Sequence, residues 1–141
     1  MPAMPSHIQS VLDLADEKLK SARILLEAGQ WRDAASRAYY CAFHAVTAVL
    51  LSKGLSFSSH GQTLGAFNRE FVKTGLFPRE YGARLGKMER DRQAGDYRAT
   101  SPIADTVAKE DVAMAADVLA ACRRYLEALS AASRGGADAK P

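Results

Sequence analysis

Apolar residues recur every three or four positions along most of this chain, and strand-like alternation is absent. In the first segment the repeat is carried by Ile8, Val11, Leu12, Ala15, Leu19, Ala22 and Leu26. A repeat of this period is typical of the buried face of a helix. Because glycine favours the left-handed conformation that closes a helix, Gly29 and Gly54 are expected to end the first two helices. The sequence therefore predicts helices over residues 6–28 and 31–53.

The same repeat predicts three further helices: 59–74, one that opens at Pro78 and ends near residue 95, and one that starts at Asp105 or Thr106. Their predicted buried positions are Leu64, Phe67, Phe71, Tyr81, Leu85, Met88, Val112, Ala115, Leu119, Cys122, Leu126 and Leu129. Five helices with short connections favour an all-α fold, a five-helix antiparallel up-and-down bundle. We expect one domain over residues 1–132, a loop over 96–104 and a disordered tail over 133–141.

Composition agrees with an ordinary folded domain. The chain has 141 residues, of which 48% are hydrophobic and 25% charged, and this excludes a disordered, collagen-like or disulfide-rich protein. The net charge of +3 permits an acidic partner without requiring one. The most apolar run, residues 38–51, is too short to cross a bilayer, and no signal peptide is read. The two cysteines have no metal or redox spacing, so we expect a cytoplasmic protein with no membrane contact, metal site or cofactor.

The second predicted helix is apolar on two sides. On a helical wheel Ala35, Tyr39, Ala42, Val46 and Val49 form a core seam, and the opposite side carries Asp33, Arg37, Tyr40, Cys41, His44, Ala48 and Leu51. Arg37 and His44 are seven residues apart, so their directions differ by about 20° and their Cα atoms by about 10.5 Å. Tyr40 stands between them. Asp33 lies one turn before Arg37, where a carboxylate is expected to hold the guanidinium in position.

A helix that is apolar nearly all round must be covered on both sides. The rest of the bundle covers one side, and we expect a second copy of the chain to cover the other. In such a homodimer each Arg37 and His44 would meet their symmetry mates in a composite polar cleft. The alternative interpretation is a buried polar network that only orients the helix or the dimer.

The stretch 34–45, Ala-Ala-Ser-Arg-Ala-Tyr-Tyr-Cys-Ala-Phe-His-Ala, resembles the signature helix of prokaryotic HEPN domains. The resemblance continues at 59–60, 66–68, 71–75, 89–92 and 95–97. It implies an α-helical up-and-down bundle that is usually dimeric. It also implies a gene neighbourhood with a minimal nucleotidyltransferase as partner. Many members are metal-independent ribonucleases of toxin–antitoxin, defence and RNA-processing systems, so RNA or a nucleotide is the expected ligand.

The resemblance also implies roles for single residues through the family's Arg-x(4–6)-His motif, which here fits Arg37 and His44. His44 would activate the ribose 2′-hydroxyl or protonate the leaving 5′-oxygen, and Arg37 would hold the scissile phosphate. Tyr40 would stack on an unpaired base, and a pair from the dimer mate would supply the complementary acid.

Basic residues are dense between positions 79 and 98, and their positive side chains are Arg79, Arg84, Lys87, Arg90, Arg92 and Arg98. A solvated face is one interpretation of this cluster. The other is a groove for the RNA backbone, in which Lys87, Arg90 and Arg92 bind substrate. His60 follows two serines and is interpreted as a helix-start residue. Gly82 and Gly86 are expected to admit the close approach of another helix.

Two function classes therefore stay open beside a purely structural oligomer. The first is the toxin-like partner of a nucleotidyltransferase, which cleaves RNA through Arg37 and His44. The second is a non-catalytic helical module that binds a nucleotide or a protein partner.

Overall fold

The computed structural model of the protein describes residues 4–97 and 102–138, with side chains over 4–96 and 102–132. Within these residues there are five α-helices and no strand. They are α1 (Ser6–Glu27), α2 (Trp31–Leu51), α3 (His60–Phe67), α4 (Tyr81–Tyr97) and α5 (Asp105–Asp138). A π-helical turn, Asn68–Val72, continues α3. The helices form an antiparallel up-and-down bundle, which confirms the predicted fold class.

The helix ends follow from local chemistry. Gly29, Gly54 and Gly75 have φ angles of 76°, 73° and 82°, the left-handed conformation that glycine adopts without a steric penalty. The Ser59 hydroxyl caps α3 by accepting the backbone N–H of Gln62 at 3.1 Å. The glycines and the capping serine can be recognised in the sequence. The predicted ends of α1 and α2 accordingly lie within two residues of the observed ends.

Three predicted boundaries differ from the structure. Helix α4 begins at Tyr81, three residues after Pro78, whose carbonyl accepts the Tyr81 N–H. It also continues to Tyr97, into the predicted loop, while Arg98 lies outside the described residues. Helix α5 reaches Asp138, so the backbone of 133–138 is helical where a disordered tail is predicted. The alanine-rich sequence favours this extension, because alanine loses no side-chain entropy in a helix. Residues 139–141 lie outside the described part.

Helix α2 lies at the centre of the bundle and contacts each of the other four helices. Its predicted core seam is confirmed, since none of these five residues is more than 1% exposed: Ala35, Tyr39, Ala42, Val46 and Val49. One predicted core position is wrong, because Leu129 is 42% exposed. The helical repeat fixes the direction of a side chain but not the extent of the neighbouring helices that would cover it.

Among the helices of residues 4–97 and 102–138, none combines the length and the apolar character that a membrane span requires. The apolar run 38–51 lies within α2, where most of its side chains pack against the neighbouring helices.

Candidate functional site

Four predicted site residues follow one another along α2, and we call them the α2 stripe: Asp33, Arg37, Tyr40 and His44. Asp33 and Arg37 are exposed, whereas Tyr40 and His44 are half-buried. The helix is continuous through all four, so Arg37 and His44 project from the same side two turns apart. The stripe therefore places a guanidinium and an imidazole on one side of α2, with a tyrosine ring between them.

The expected support of Arg37 by Asp33 is not found. Among the ion pairs of the described residues, none joins these two side chains. Both are exposed, and an exposed pair one turn apart gains only a few tenths of a kcal/mol, about what holding two long side chains costs. Arg37 therefore keeps its guanidinium available to an external anion.

Two residues on this side of the wheel lie in the core. Cys41 and Ala48 are fully buried. The Cys41 thiol donates to the backbone carbonyl of Ala115 in α5 at 3.9 Å. Burial raises the pKa of Cys41 to about 12, so the side chain remains a neutral thiol. Helix α5 therefore covers this side of α2 at Cys41. A helical wheel gives the direction of each side chain but does not show which neighbouring helix covers it.

His44 lies against aromatic rings of its own helix. Its ring centroid is 6.3 Å from that of Tyr40 and 5.9 Å from that of Phe43. Burial lowers the pKa of His44, and the positive charges of Lys18 and His60 lower it further. The imidazole is therefore neutral at pH 7, the state in which one ring nitrogen accepts a proton.

Beside the stripe, Tyr39 bridges two other helices, and we call Tyr39, His60 and Glu89 the Tyr39 relay. The Tyr39 hydroxyl lies 2.9 Å from Nδ1 of His60 at the start of α3. It donates to Oε2 of Glu89 in α4 at 3.2 Å. The carboxylate itself is 3.9 Å from Nδ1 of His60. Burial, with the negative charge of Glu89, raises the pKa of Tyr39, so the hydroxyl keeps its proton.

Sequence reasoning places Tyr39 in the core seam and His60 at a helix start, and both placements are correct but incomplete. The relay partners of Tyr39 are 21 and 50 residues away along the chain, so helical periodicity contains no signal for them. One signal was available, because the hydroxyl of a buried tyrosine needs a hydrogen-bond partner.

Arg92 differs most from its prediction. The predicted RNA groove requires an exposed side chain, yet Arg92 is only 6% exposed. Its guanidinium lies over the rings of Tyr39 and Tyr40, with its central carbon 5.1 Å and 5.6 Å from their centroids. It also pairs with Asp96 at 3.7 Å, while its Nε has no hydrogen-bond partner among the described residues. Arg92 therefore packs against the faces of the two tyrosine rings.

The model of the HEPN domain matches residues 8–128, which include the stripe, the Tyr39 relay and Arg92. This chain belongs to the HEPN domain family. The match covers well over half of the 141 residues, so the HEPN domain accounts for nearly all of the described bundle.

Several HEPN relatives share much of the sequence. A UPF0332 protein of Thermotoga maritima is 40% identical over 118 residues, which are 84% of this chain and 89% of that protein. A Methanocaldococcus jannaschii protein named "Putative toxin MJ0605" is 37% identical over 67% of this chain and 71% of its own length. The crystal structure of TT1696 from Thermus thermophilus has the same fold, with a TM-score of 0.72 at 17% identity, over 85% of this chain and 98% of that one.

The three predicted backbone-binding residues of this HEPN domain do not share a groove. Lys87 pairs with Asp91 at 2.8 Å and with Asp111 of α5 at 3.5 Å. Arg90 is exposed, and Arg92 is buried towards α2. Positions 87 and 90 are neighbours on one side of the helix, whereas position 92 points to nearly the opposite side. The structure therefore gives no single RNA groove on α4.

Lys87 contacts two carboxylates between α4 and α5, those of Asp91 and Asp111. We call these two residues the α4–α5 carboxylate pair. Asp111 is 2% exposed, and its Oδ2 has no hydrogen-bond donor among the described residues. Burial, with the hydrogen bond and charge of Asp91, raises the pKa of Asp111 to about 7 against the opposing effect of Lys87. This pair lies between α4 and α5, and within the described part of the chain it forms no ion pair with the stripe.

Proposed function

We propose that this HEPN protein is an endoribonuclease with a toxin-like role, and that Arg37 and His44 form its reactive pair. The observation that carries the proposal is the α2 stripe, where an exposed guanidinium and a half-buried imidazole project from one side of one helix. No ion pair within the described part of the chain occupies this guanidinium. A core polar network would instead pair and cover both groups.

The chemistry follows from the states of the two side chains. The lowered pKa of His44 keeps its imidazole neutral at pH 7, so it can take the proton of a ribose 2′-hydroxyl. The 2′-oxygen then bonds to phosphorus, and the bond from phosphorus to the 5′-oxygen breaks. Arg37 binds the phosphate oxygens and offsets the charge that develops on them. The half-buried ring of Tyr40 lies between the two groups, where an unpaired base can stack on it.

Toxin-like action is supported by the relatives named "Putative toxin MJ0605" and "Putative toxin MJ0142", which are 37% and 30% identical to this chain. We propose a minimal nucleotidyltransferase as the partner that controls it. The test is co-expression of the chain with the product of an adjacent nucleotidyltransferase gene, followed by affinity purification. Recovery of a stable complex with reduced ribonuclease activity is expected, and separate elution of two unaffected proteins would contradict the partnership.

We also propose that two copies pair across the α2 stripe. The stripe continues along α2 into Phe43 and Leu51, which are half-buried, so part of an apolar band is left uncovered in one copy. Pairing across this band would cover it and bring a second Arg37 to the phosphate. Light scattering after size exclusion is expected to give twice the chain mass of 15.2 kDa. A monomer at micromolar concentration would contradict this arrangement.

The function is tested with single-stranded RNA, in EDTA, with the purified protein and the variants Arg37→Ala and His44→Ala. Each variant is expected to lose about 100-fold or more in rate, as removal of an acid–base group does. The matched control is His7→Ala, an exposed histidine of α1, which should cleave like the natural protein. Circular dichroism checks that every variant is folded.

Equal cleavage by all four proteins would reject Arg37 and His44 as the reactive pair. Nucleotide binding without any cleavage would reject the ribonuclease function and favour the non-catalytic binding module.

A further inference from the structure

We infer that His60 is the general acid of this site, so that the base and the acid of the cleavage come from one chain. The inference rests on the proposed ribonuclease function and replaces the expected acid from a dimer mate. In this arrangement His44 takes the proton of the 2′-hydroxyl and His60 gives a proton to the leaving 5′-oxygen.

The first support is proximity, because both imidazoles contact the same two aromatic rings. The His60 centroid is 4.3 Å from that of Phe43 and 5.9 Å from that of Tyr40. The His44 centroid is 5.9 Å and 6.3 Å from the same two rings. The side chain of His60 is 35% exposed, so it can meet a substrate on the stripe. Two imidazoles from separate helices therefore border the same pair of aromatic rings next to the α2 stripe.

The second support is the proton arrangement in the Tyr39 relay. The single hydroxyl proton of Tyr39 is donated to Glu89, so the tyrosine oxygen accepts the Nδ1 proton of His60. This fixes the tautomer of His60 and leaves Nε2 with no hydrogen bond among the described residues. A histidine that is oriented through one nitrogen presents the other nitrogen to its substrate.

The third support is charge. The Glu89 carboxylate is 3.9 Å from Nδ1 of His60 and faces the positive charge of an imidazolium. The charged and titratable groups around His60 are Tyr39, Tyr40 and His44 of α2, and Glu89 and Arg92 of α4. His44 instead faces the positive charge of Lys18, and no carboxylate of the described residues acts on its pKa. A carboxylate thus lies beside His60, whereas His44 is desolvated beside a positive charge, which lowers its pKa as a general base at pH 7 requires.

The step is balanced without another reactant. His44 gains the 2′-hydroxyl proton as the bond from the 2′-oxygen to phosphorus forms. The bond from phosphorus to the 5′-oxygen breaks, and this oxygen takes the Nε2 proton of His60. The products are a 2′,3′-cyclic phosphate and a 5′-hydroxyl, and exchange with water restores the two imidazoles.

A general acid is revealed by a leaving group that needs no proton. The test compares RNA with uridine 3′-(4-nitrophenyl phosphate), whose nitrophenolate leaves unprotonated. The variant His60→Asn keeps a side-chain N–H for Tyr39 but cannot donate a proton to substrate. It is expected to lose about 100-fold on RNA and to stay within about threefold on the nitrophenyl ester. The variant His44→Ala is expected to lose activity on both substrates, because both need the base.

The natural protein gives a second readout that does not depend on how a variant folds. On RNA the rate should rise and then fall with pH, whereas on the nitrophenyl ester the alkaline fall should disappear.

The variant Glu89→Gln keeps an acceptor for Tyr39 but removes the negative charge beside His60. Its cleavage rate should fall about tenfold on RNA and stay unchanged on the nitrophenyl ester.

The outcomes separate the two proposals. Equal losses of His60→Asn on both substrates, or no loss on RNA, would overturn the role of His60 and leave the ribonuclease function intact. A natural protein that cleaves neither substrate would overturn the ribonuclease function and, with it, this inference.

Discussion

Two polar clusters tie α4 to the rest of the bundle, and they differ in what they face. The Tyr39 relay with Arg92 joins α4 to α2 and α3, and the α4–α5 carboxylate pair with Lys87 joins α4 to α5. Each cluster contains one buried polar atom without a hydrogen-bond partner among the described residues, Nε of Arg92 in the first and Oδ2 of Asp111 in the second.

The difference lies in exposure and in the kind of group. The relay ends at His60, whose side chain is 35% exposed beside the α2 stripe and is therefore accessible to a ligand. The carboxylate pair ends at Asp111, which is 2% exposed and can share a proton only with its neighbours. One cluster therefore reaches a partly exposed imidazole beside the α2 stripe, whereas the other stays between α4 and α5.

The largest expected effect separates the two clusters by activity. His44→Ala, next to the relay, should slow RNA cleavage by about 10²–10⁴-fold. Asp111→Asn, in the carboxylate pair, should leave the rate within about twofold, because the ion pair of Asp111 is with Lys87 between α4 and α5 and not with the stripe. Initial rates at pH 7 measure both. A large loss of activity in Asp111→Asn would remove the distinction between the clusters.

The second effect concerns pH and stability. The pKa of Asp111 is raised to about 7, so between about pH 4 and 7 the folded state binds more protons than the unfolded chain. Its contribution to stability is complete below about pH 4 and is lost as the pH rises through 7. Asp111→Asn should therefore raise the free energy of unfolding at pH 8 by about 1–3 kcal/mol and by much less at pH 5.

Urea unfolding of both proteins at the two pH values measures this difference. The comparison with the natural protein cancels the opposite contribution of His44, whose lowered pKa costs stability as the pH falls. An identical change in stability at pH 5 and pH 8 would contradict the raised pKa.

The third effect tests the hydroxyl of the relay. Tyr39→Phe removes the group that joins His60 and Glu89, so it should lower the free energy of unfolding by about 1–2 kcal/mol. The matched control is Tyr81→Phe, whose hydroxyl makes only one long contact, 3.5 Å to the carbonyl of Asp117. Its loss should be below about 0.5 kcal/mol. Equal losses in urea unfolding would mean that the relay contributes no more than a weak contact.

The smallest expected effect tests whether the close approach of Asn68 to the α4 backbone also holds α4 in place. A Cβ on Gly82 would stand 2.7 Å from Oδ1 of Asn68, whereas a Cβ on Gly86 meets only its own helix, at 3.5 Å from Arg90. Gly86→Ala should raise the free energy of unfolding by about 0.5–1 kcal/mol through helix propensity, and Gly82→Ala should gain less or lose. Equal gains in thermal unfolding would mean that the two clusters alone position α4.

The local rules explain what the sequence could predict. Gly29 and Gly54 mark helix ends because glycine adopts positive φ freely, and the seam from Ala35 to Val49 follows the helical period. The α2 stripe is readable for the same reason, since Arg37, Tyr40 and His44 belong to one helix. Of the two close approaches expected on α4, Gly82 makes one and Gly86 does not.

What the sequence could not predict depends on contacts between helices. Arg92 resembles any other cation of α4 until Tyr39 and Tyr40 are placed beneath it. The role of His60 depends on Glu89, which is 29 positions later in the sequence. Each of these differences depends on which residues of another helix pack nearby, and helical periodicity does not contain that information.

The most direct measurement is the identity of the RNA ends that the natural protein leaves in EDTA, read by mass spectrometry. Attack by the neighbouring 2′-oxygen requires a 2′,3′-cyclic phosphate on one fragment and a free 5′-hydroxyl on the other, and both should vanish in Arg37→Ala and His44→Ala. Fragments that carry a 3′-hydroxyl and a 5′-phosphate, or RNA that stays whole, would contradict the chemistry assigned to the α2 stripe.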